Sequence, residues 1–549
     1  MRHYLLIILF GLSFFVSSSQ EVFEHVDNRT IYDFLDELSN DGFIEINSAV
    51  KPYSRVYIAT KLSEAKEKKE NLTNIQKKTL DFHLKDYNKE LNVGKYTPKK
   101  IDLLYYKDSL FSFTLNPIAG FEYYTNQNGK VYKRYNGADF FGYIGKNVGF
   151  YASLRDNYEN NPFARYWYLT KERGAKYKGG SVKGGESGGV DYSEMRGGMT
   201  FAWKWGSLSL VKDHIVWGNN YNGSNIISDK TPSYPLIKLN IKPAKWIELN
   251  YIHAWLVSEF VDSTQGYVFN IDSTNINKIK YSRRDYFVNK YLAANFVTIK
   301  PFKKLNISIG NSVVYDKQII PAYLIPIFFY KSIDHTLALS NSIGQNAQMF
   351  MDVSSRQIKH LHLYSSIFID EIYMSRIFNK SNHRNYYSVK AGARINNFLL
   401  KNYSITFEYT RTNPLTYKHF VPTTTFESNK YNLGYYLRDN SEDVYIKIDY
   451  SLLYNLRLSL GAEFAIVGPR YLYDGNQNSS ETSGLKFIES ADWKKEYVFF
   501  RICFQPINDI FLYGEYFIMN ISGDNYQLYT QNIFEGKTNN LNFGINVKF

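Results

Sequence analysis

Charged side chains recur at every second position along several stretches of this chain, each run facing away from an aliphatic one. Lys390 and Arg394 stand opposite Val389, Ala391, Ala393 and Ile395. Lys447 and Asp449 stand opposite Val444, Ile446, Ile448 and Tyr450, and Arg457 and Glu463 stand opposite Leu456, Leu458, Leu460, Ala462 and Phe464. Glu408, between Phe407 and Tyr409, adds a carboxylate. Cations on one strand face can hold the uronate, phosphate or pyruvyl groups of a glycan, or they can neutralise carboxylates that share the face. Reaction chemistry has no comparable signature. Gly185-Glu-Ser-Gly-Gly189 spells GxSxG, but it lies inside a glycine-rich run that no helical pattern follows and so does not read as a nucleophile elbow, and there is no HExxH helix. His360 and His362 would share a strand face, but no carboxylate placed beside them completes a metal site. Asp213-His214 and Asp370-Glu371 stand without a recognisable nucleophile. Nine glycines fall within 174–198, yet the spacing of a phosphate loop is missing, so this stretch reads as an external or lumen-folded loop. No catalytic residue, metal or cofactor is expected.

The element that would carry such residues is a strand with one apolar and one hydrated face. The last nine residues show it most plainly, with Leu541, Phe543, Ile545, Val547 and Phe549 on one side and Asn542, Gly544, Asn546 and Lys548 on the other. The same period appears in 304–314 and 405–410 and continues from about residue 109 to the end. Many of these segments are as long as a tilted strand must be to cross a bilayer, roughly 9–11 residues. About 18 can be counted. Some joints are very short, such as Tyr454-Asn455 and Ile507-Asn508, while others are long and polar, such as 157–193, 257–284 and 468–495. Short turns at one end and long loops at the other are a feature of outer-membrane barrels.

Composition agrees. Aromatic residues make up 17% of 549 positions, including 49 Tyr and 39 Phe, which girdles at two membrane interfaces would use. Mean hydropathy is −0.37, too polar for a helical membrane protein. Cys503 is the only cysteine, so an intrachain disulfide and a Cys-based metal site are excluded. The formal charge of +13 suits anionic lipid or an acidic glycan, and no nucleic-acid module is visible.

At the N-terminus, Arg2 and His3 precede an apolar run from Leu5 to Val16 and small residues at Ser17–Ser19, the form of a secretory leader cleaved before Gln20. Between 28 and 92 the period changes to that of helices. Thr30 to Asp33 reads as a capping box, with Ile31, Phe34, Leu35 and Leu38 as a stripe and Gly42 as a stop. Ser54 is a candidate N-cap for a second helix, and Leu72, Ile75, Leu80, Leu84, Tyr87 and Leu91 align along a third. Residues 51–100 hold 13 Lys or Arg against 6 Asp or Glu, which fits a solvated helix face as well as a surface turned to a polyanion.

The stretch from Lys212 to Leu239 carries the most specific pattern: Trp217-Gly218, Gly223, Ile226-Ile227-Ser228, then Pro232 to Pro235. With Val313-Val-Tyr315, Pro321-Ala-Tyr-Leu-Ile-Pro326, Leu363 to Asp370, Glu408-Tyr-Thr-Arg411, Asn413-Pro414 and Leu433-Gly434, it resembles the outer-membrane capsule assembly family called Wzi, in a Bacteroidetes-type version. Phe34 to Gly42 resembles that family's opening helix. Ile325 and Glu371 depart from the pattern, each standing where the family has another residue.

The resemblance implies a monomeric barrel with a helical bundle at its periplasmic end, acting as a surface lectin that anchors or assembles capsular or exopolysaccharide, which can be acidic. Lys390, Arg394, Lys447 and Arg457 are then the candidate lumen ligands, with Trp217, Asn219, Asn220 and Tyr323 near the motif turns. The expectation is a transmembrane antiparallel β-barrel of about 18 strands behind a small α-helical bundle, divided as 1–19 leader, 20–100 periplasmic bundle and 101–549 barrel. Long loops would lie at the cell surface. The last strand would be read by the barrel-insertion machinery, and lipopolysaccharide would surround the wall. A porin or uptake channel, and a scaffold in a secretion machine, are the competing readings.

Overall fold

A computed structural model describes residues 21–91, 100–177, 189–270, 281–338, 345–372, 385–473 and 485–548. The expected leader at 1–19 and the middle of the glycine-rich stretch, 178–188, lie outside them.

Alternation along the strands generates a closed barrel of eighteen. They are β1 (Phe111–Asn126), β2 (Gly129–Ile144), β3 (Val148–Glu159), β4 (Val190–Trp203), β5 (Gly206–Asp213) and β6 (Tyr234–Ala244). Next come β7 (Ile247–Val261), β8 (Phe287–Phe302), β9 (Leu305–Asp316), β10 (Asn346–Ser355), β11 (Leu361–Glu371) and β12 (Tyr386–Asn396). The series ends with β13 (Tyr403–Thr412), β14 (Ser441–Leu453), β15 (Leu456–Val467), β16 (Trp493–Ile507), β17 (Ile510–Ser522) and β18 (Gly536–Val547). Neighbours in the chain are neighbours in the wall, and β18 pairs antiparallel with β1 from Leu541↔Thr125 to Val547↔Ala119, which leaves no open edge. Leu104–Lys107 continues the wall beside the lower half of β1, with Leu104 opposite Leu115. The outward face is apolar, as Leu210, Ile309, Leu460, Leu541 and Phe543 show by their exposure. The inward face carries the polar residues.

Three helices precede the barrel: α1 (Arg29–Asn40), α2 (Arg55–Glu67) and α3 (Asn74–Tyr87). Ile31, Phe34, Leu35, Leu38, Ile58, Leu62, Leu80 and Leu84 form their shared core. Ser54 caps α2 by accepting from the Tyr57 amide, and Thr73 with Gln76 forms a reciprocal capping box on α3. The capping box expected at Thr30 to Asp33 is not formed. Asn28 occupies the cap of α1 without a side-chain bond to the backbone of the first turn, and Asp33 turns instead toward arginines of the barrel wall. The bundle meets the short-turn end, where the His360 amide donates to Asn40 O at 2.7 Å and Thr73 donates to Asn402 at 3.1 Å.

One loop folds outward. After β9 the chain makes a 3-10 turn at Pro321–Leu324 and helix α4 (Tyr330–Ala338), lying on the outer wall over β7, β8 and β9. Because Phe296 and Thr298 of β8 face the lumen, Asn295 faces the membrane side, and so does its cross-strand partner Asn311. Two such amides facing hydrocarbon would be costly. The loop satisfies them. Asn295 Nδ2 donates to Phe328 O at 2.8 Å, Asn311 Nδ2 donates to Asn295 Oδ1 at 2.8 Å, and the Tyr330 amide donates to Asn311 Oδ1 at 2.9 Å. Ile327, Phe328 and Phe329 on the far side of the loop restore an apolar exterior.

Candidate functional site

The lumen divides into a filled half and a hollow half. Filling begins with Trp217. This residue is not part of the barrel wall; β5 stops at Asp213, and Val216-Trp217 pairs inside the lumen with Val50-Lys51 of the N-terminal segment. Gly218 and Gly223 allow this, because their φ angles of 95° and 97° belong to the left-handed region that side chains disfavour. The Trp217 indole stacks on Phe296 at 5.4 Å, and Phe350, Phe368, Tyr417 and Phe426 continue the aromatic layer.

The sequence-derived candidates are scattered over three places. Trp217 is fully buried in the filled half. Asn219 accepts from Ser48 at 2.5 Å and its amide donates to Asp352 Oδ2 at 2.8 Å, while Asn220 donates to Gly218 O at 2.8 Å. Lys390 is enclosed by Thr410 at 2.7 Å, Glu408 at 3.5 Å and the ring of Tyr435. Arg394 pairs with Asp33 at 3.3 Å and lies over Tyr221. Tyr323 sits outside the barrel wall, buried under the β9–β10 loop, where Tyr251 donates to its carbonyl at 2.9 Å. Only Lys447 and Arg457 reach open space.

That space is a cavity of about 690 Å³ along β1–β3 and β14–β17. Tyr454 and Asn455 in the short turn after β14 line one end of it, and Thr530 and Phe534 in the long loop before β18 line the other. Its charges are arranged as pairs: Arg457 with Asp33 at 2.7 Å, Lys447 with Asp449 at 3.0 Å, Lys171 and Lys495 with Glu463 at 2.7 and 2.8 Å, and Arg501 with Glu515 at 2.8 Å. Glu122 and Lys133 face each other across β1 and β2. Lys495, Tyr497, Phe499 and Arg501 follow the two-residue spacing that marked the other lumen strands, so the signal for this wall was present in the sequence; Glu122, Lys133 and Glu515 complete it only through register.

Two carboxylates of the N-terminal segment fix the plug. Burial would raise the Asp27 pKa, but Arg173, which holds it with bonds of 2.7 and 2.9 Å, keeps it well below the usual range. Asp33 behaves likewise: burial opposes its ionisation, and Arg394, Lys447 and Arg457 overcome that opposition and depress its pKa. Asp213 pairs with Arg196 at 2.6 Å and His214 with Glu194 at 2.8 Å, as ordinary buried partners. His360 bonds Asp41 at 2.8 Å from the turn, and His362 bonds Ser354 at 2.9 Å from the lumen, so the two rings do not converge. Among the described residues no cluster of three metal-ligating side chains is present.

A closed antiparallel wall, an apolar exterior and a half-filled polar lumen decide the architecture. The fold is that of an outer-membrane barrel. A solved structure described as Wzi, an outer-membrane protein involved in group 1 capsule assembly in Escherichia coli and a carbohydrate-binding β-barrel, aligns over 97% of this chain and 100% of its own, with a TM-score of 0.55 and 13% identity. OprD from Pseudomonas aeruginosa aligns over 79% of this chain and 94% of its own at TM-score 0.41 and 10% identity, and OccAB2 from Acinetobacter baumannii over 80% and 99% at 0.41 and 12%. No family model and no curated relative matches the sequence.

Proposed function

We propose that this protein is a non-enzymatic outer-membrane barrel that binds surface polysaccharide and so anchors or assembles it. The observation that carries this reading is the filled lumen half. Trp217-Gly218, Val50-Lys51 and the loop residues Tyr435 and Tyr436 occupy space that a diffusion channel would leave to water. The fold shared with the carbohydrate-binding Wzi barrel agrees with it. In this reading residues 1–19 are an export leader, residues 20–100 form a periplasmic bundle, and the long loops face the cell surface. The protein works as a monomer, the family is the capsule assembly type in its Bacteroidetes form, and lipopolysaccharide and the insertion machinery are its membrane partners.

The porin reading is favoured by one observation, the cavity lined from end to end. Two experiments separate the readings. Deleting the gene is expected to release cell-bound polysaccharide into the medium, and unchanged surface glycan would move scaffold or transport ahead. Purified barrel in planar bilayers is expected to show at most a small conductance; a steady large one would sink the carbohydrate-anchoring reading.

A further inference from the structure

The charge balance of the cavity bears on what it can hold. Ten formally cationic and ten formally anionic side chains line it. Most are already matched at hydrogen-bonding distance, as in Arg501 with Glu515 and Lys171 with Glu463. The net +13 of the chain is therefore not housed here. A chain of uronates or phosphates threaded through this space would meet as many carboxylates as cations, and each like-charge approach in a partly desolvated site is unfavourable. A hydroxyl group fits the same surroundings well, because it donates to a carboxylate and accepts from an ammonium or guanidinium at once.

Shape adds to this. The volume lies within the roughly 300–1,000 Å³ range of small-molecule sites. The lining runs from the short turn at Tyr454 to the loop at Phe534, so a ligand would lie along the wall rather than across it. Glu122 and Lys133 are half-buried, and Ser451 lines the lower part.

We propose that this off-axis cavity is a binding site for an uncharged, hydroxyl-rich glycan segment lying lengthwise along β1–β3 and β14–β17. The proposal rests on the carbohydrate reading above and narrows its substrate class. It assigns recognition to Glu122, Lys133, Lys447, Arg457 and the Arg501–Glu515 pair, and leaves acidic groups to be met elsewhere on the molecule.

The test uses the full barrel in detergent and calorimetric titration with linear neutral glucan heptasaccharides of α-1,4, β-1,3 and β-1,4 linkage, against heptagalacturonate as the acidic probe. At least one neutral oligomer is expected to bind about tenfold tighter than the acidic one, with affinity nearly independent of salt. The double variant Glu122→Leu/Lys133→Leu keeps the net charge and removes a donor and an acceptor, and is expected to weaken binding about tenfold. Ser451→Trp, which fills the cavity and removes no charged group, should weaken it as well. Folding of each variant is checked by heat-dependent gel mobility. Tighter binding of heptagalacturonate with a steep salt dependence would overturn the assignment, as would neutral binding that both folded variants retain. If neither class binds, the cavity assignment is overturned, while release of glycan from the deletion strain decides separately whether the protein handles carbohydrate at all.

Discussion

The two halves of the lumen are built from the same kind of strand and differ in what leans on them. Along β7 to β13 a second layer covers the inward residues, charged ones included: Trp217 on Phe296, Tyr417 and Phe426 on Phe368, Tyr435 on Lys390. Along β1–β3 and β14–β17 many inward residues are long and charged, and they pair with neighbours on adjacent strands beside open space. Packed aromatics exclude water, whereas matched charges with room around them keep donors and acceptors available to a ligand. One half is thus built for stability, and the other is the half to which the proposal above assigns binding.

That contrast can be broken at its strongest point by Trp217→Ala. Removing a fully buried indole and its stack on Phe296 should cost about 3–5 kcal/mol, read as a lower urea midpoint in detergent with glycan affinity affected only through folding. Asp33→Ala comes next, because it leaves Arg394 and Arg457 without their shared carboxylate. After discounting for the partial exposure of Arg457, a loss of about 2 kcal/mol is expected, seen as faster hydrogen exchange in α1. The same residue sets a pH dependence. Its folded pKa lies below the unfolded value, so its contribution is complete above the unfolded pKa of about 3.9 and disappears as acid takes the pH below that value. Asp33→Asn should lack this acid-induced loosening of α1.

Asn311→Leu probes the outer wall. It strips the Tyr330 amide of its acceptor and Asn295 of a partner, with an expected cost of about 1–3 kcal/mol and loss of protection from protease in the β9–β10 loop. Lys133→Gln, in the hollow half, should change stability by no more than about 0.5 kcal/mol, and a larger loss would mean that the charges there are structural after all.

The barrel was legible in the sequence because membrane and lumen impose opposite solvents on alternate residues, and strand after strand repeats the result. Ser54 as a cap and the helical stripes were legible for the same local reason. The site was not. Lys390 and Arg394 share the spacing of Lys447 and Arg457, yet Glu408 and Tyr435 enclose the first, Asp33 and Tyr221 cover the second, and the other two border open space. Tyr323 shows the limit more sharply, since its motif lies in a loop whose direction, inward or outward, no local pattern encodes.

What the sequence determined by itself is the alternation that makes a closed wall with an apolar exterior, because each residue there responds to its own solvent. What only the tertiary structure decided is which part of that wall is filled and which is open. That outcome depends on which way the long loops turn, and on where Val50-Lys51 meets Val216-Trp217 and Asp33 meets Arg457, contacts between residues more than a hundred positions apart.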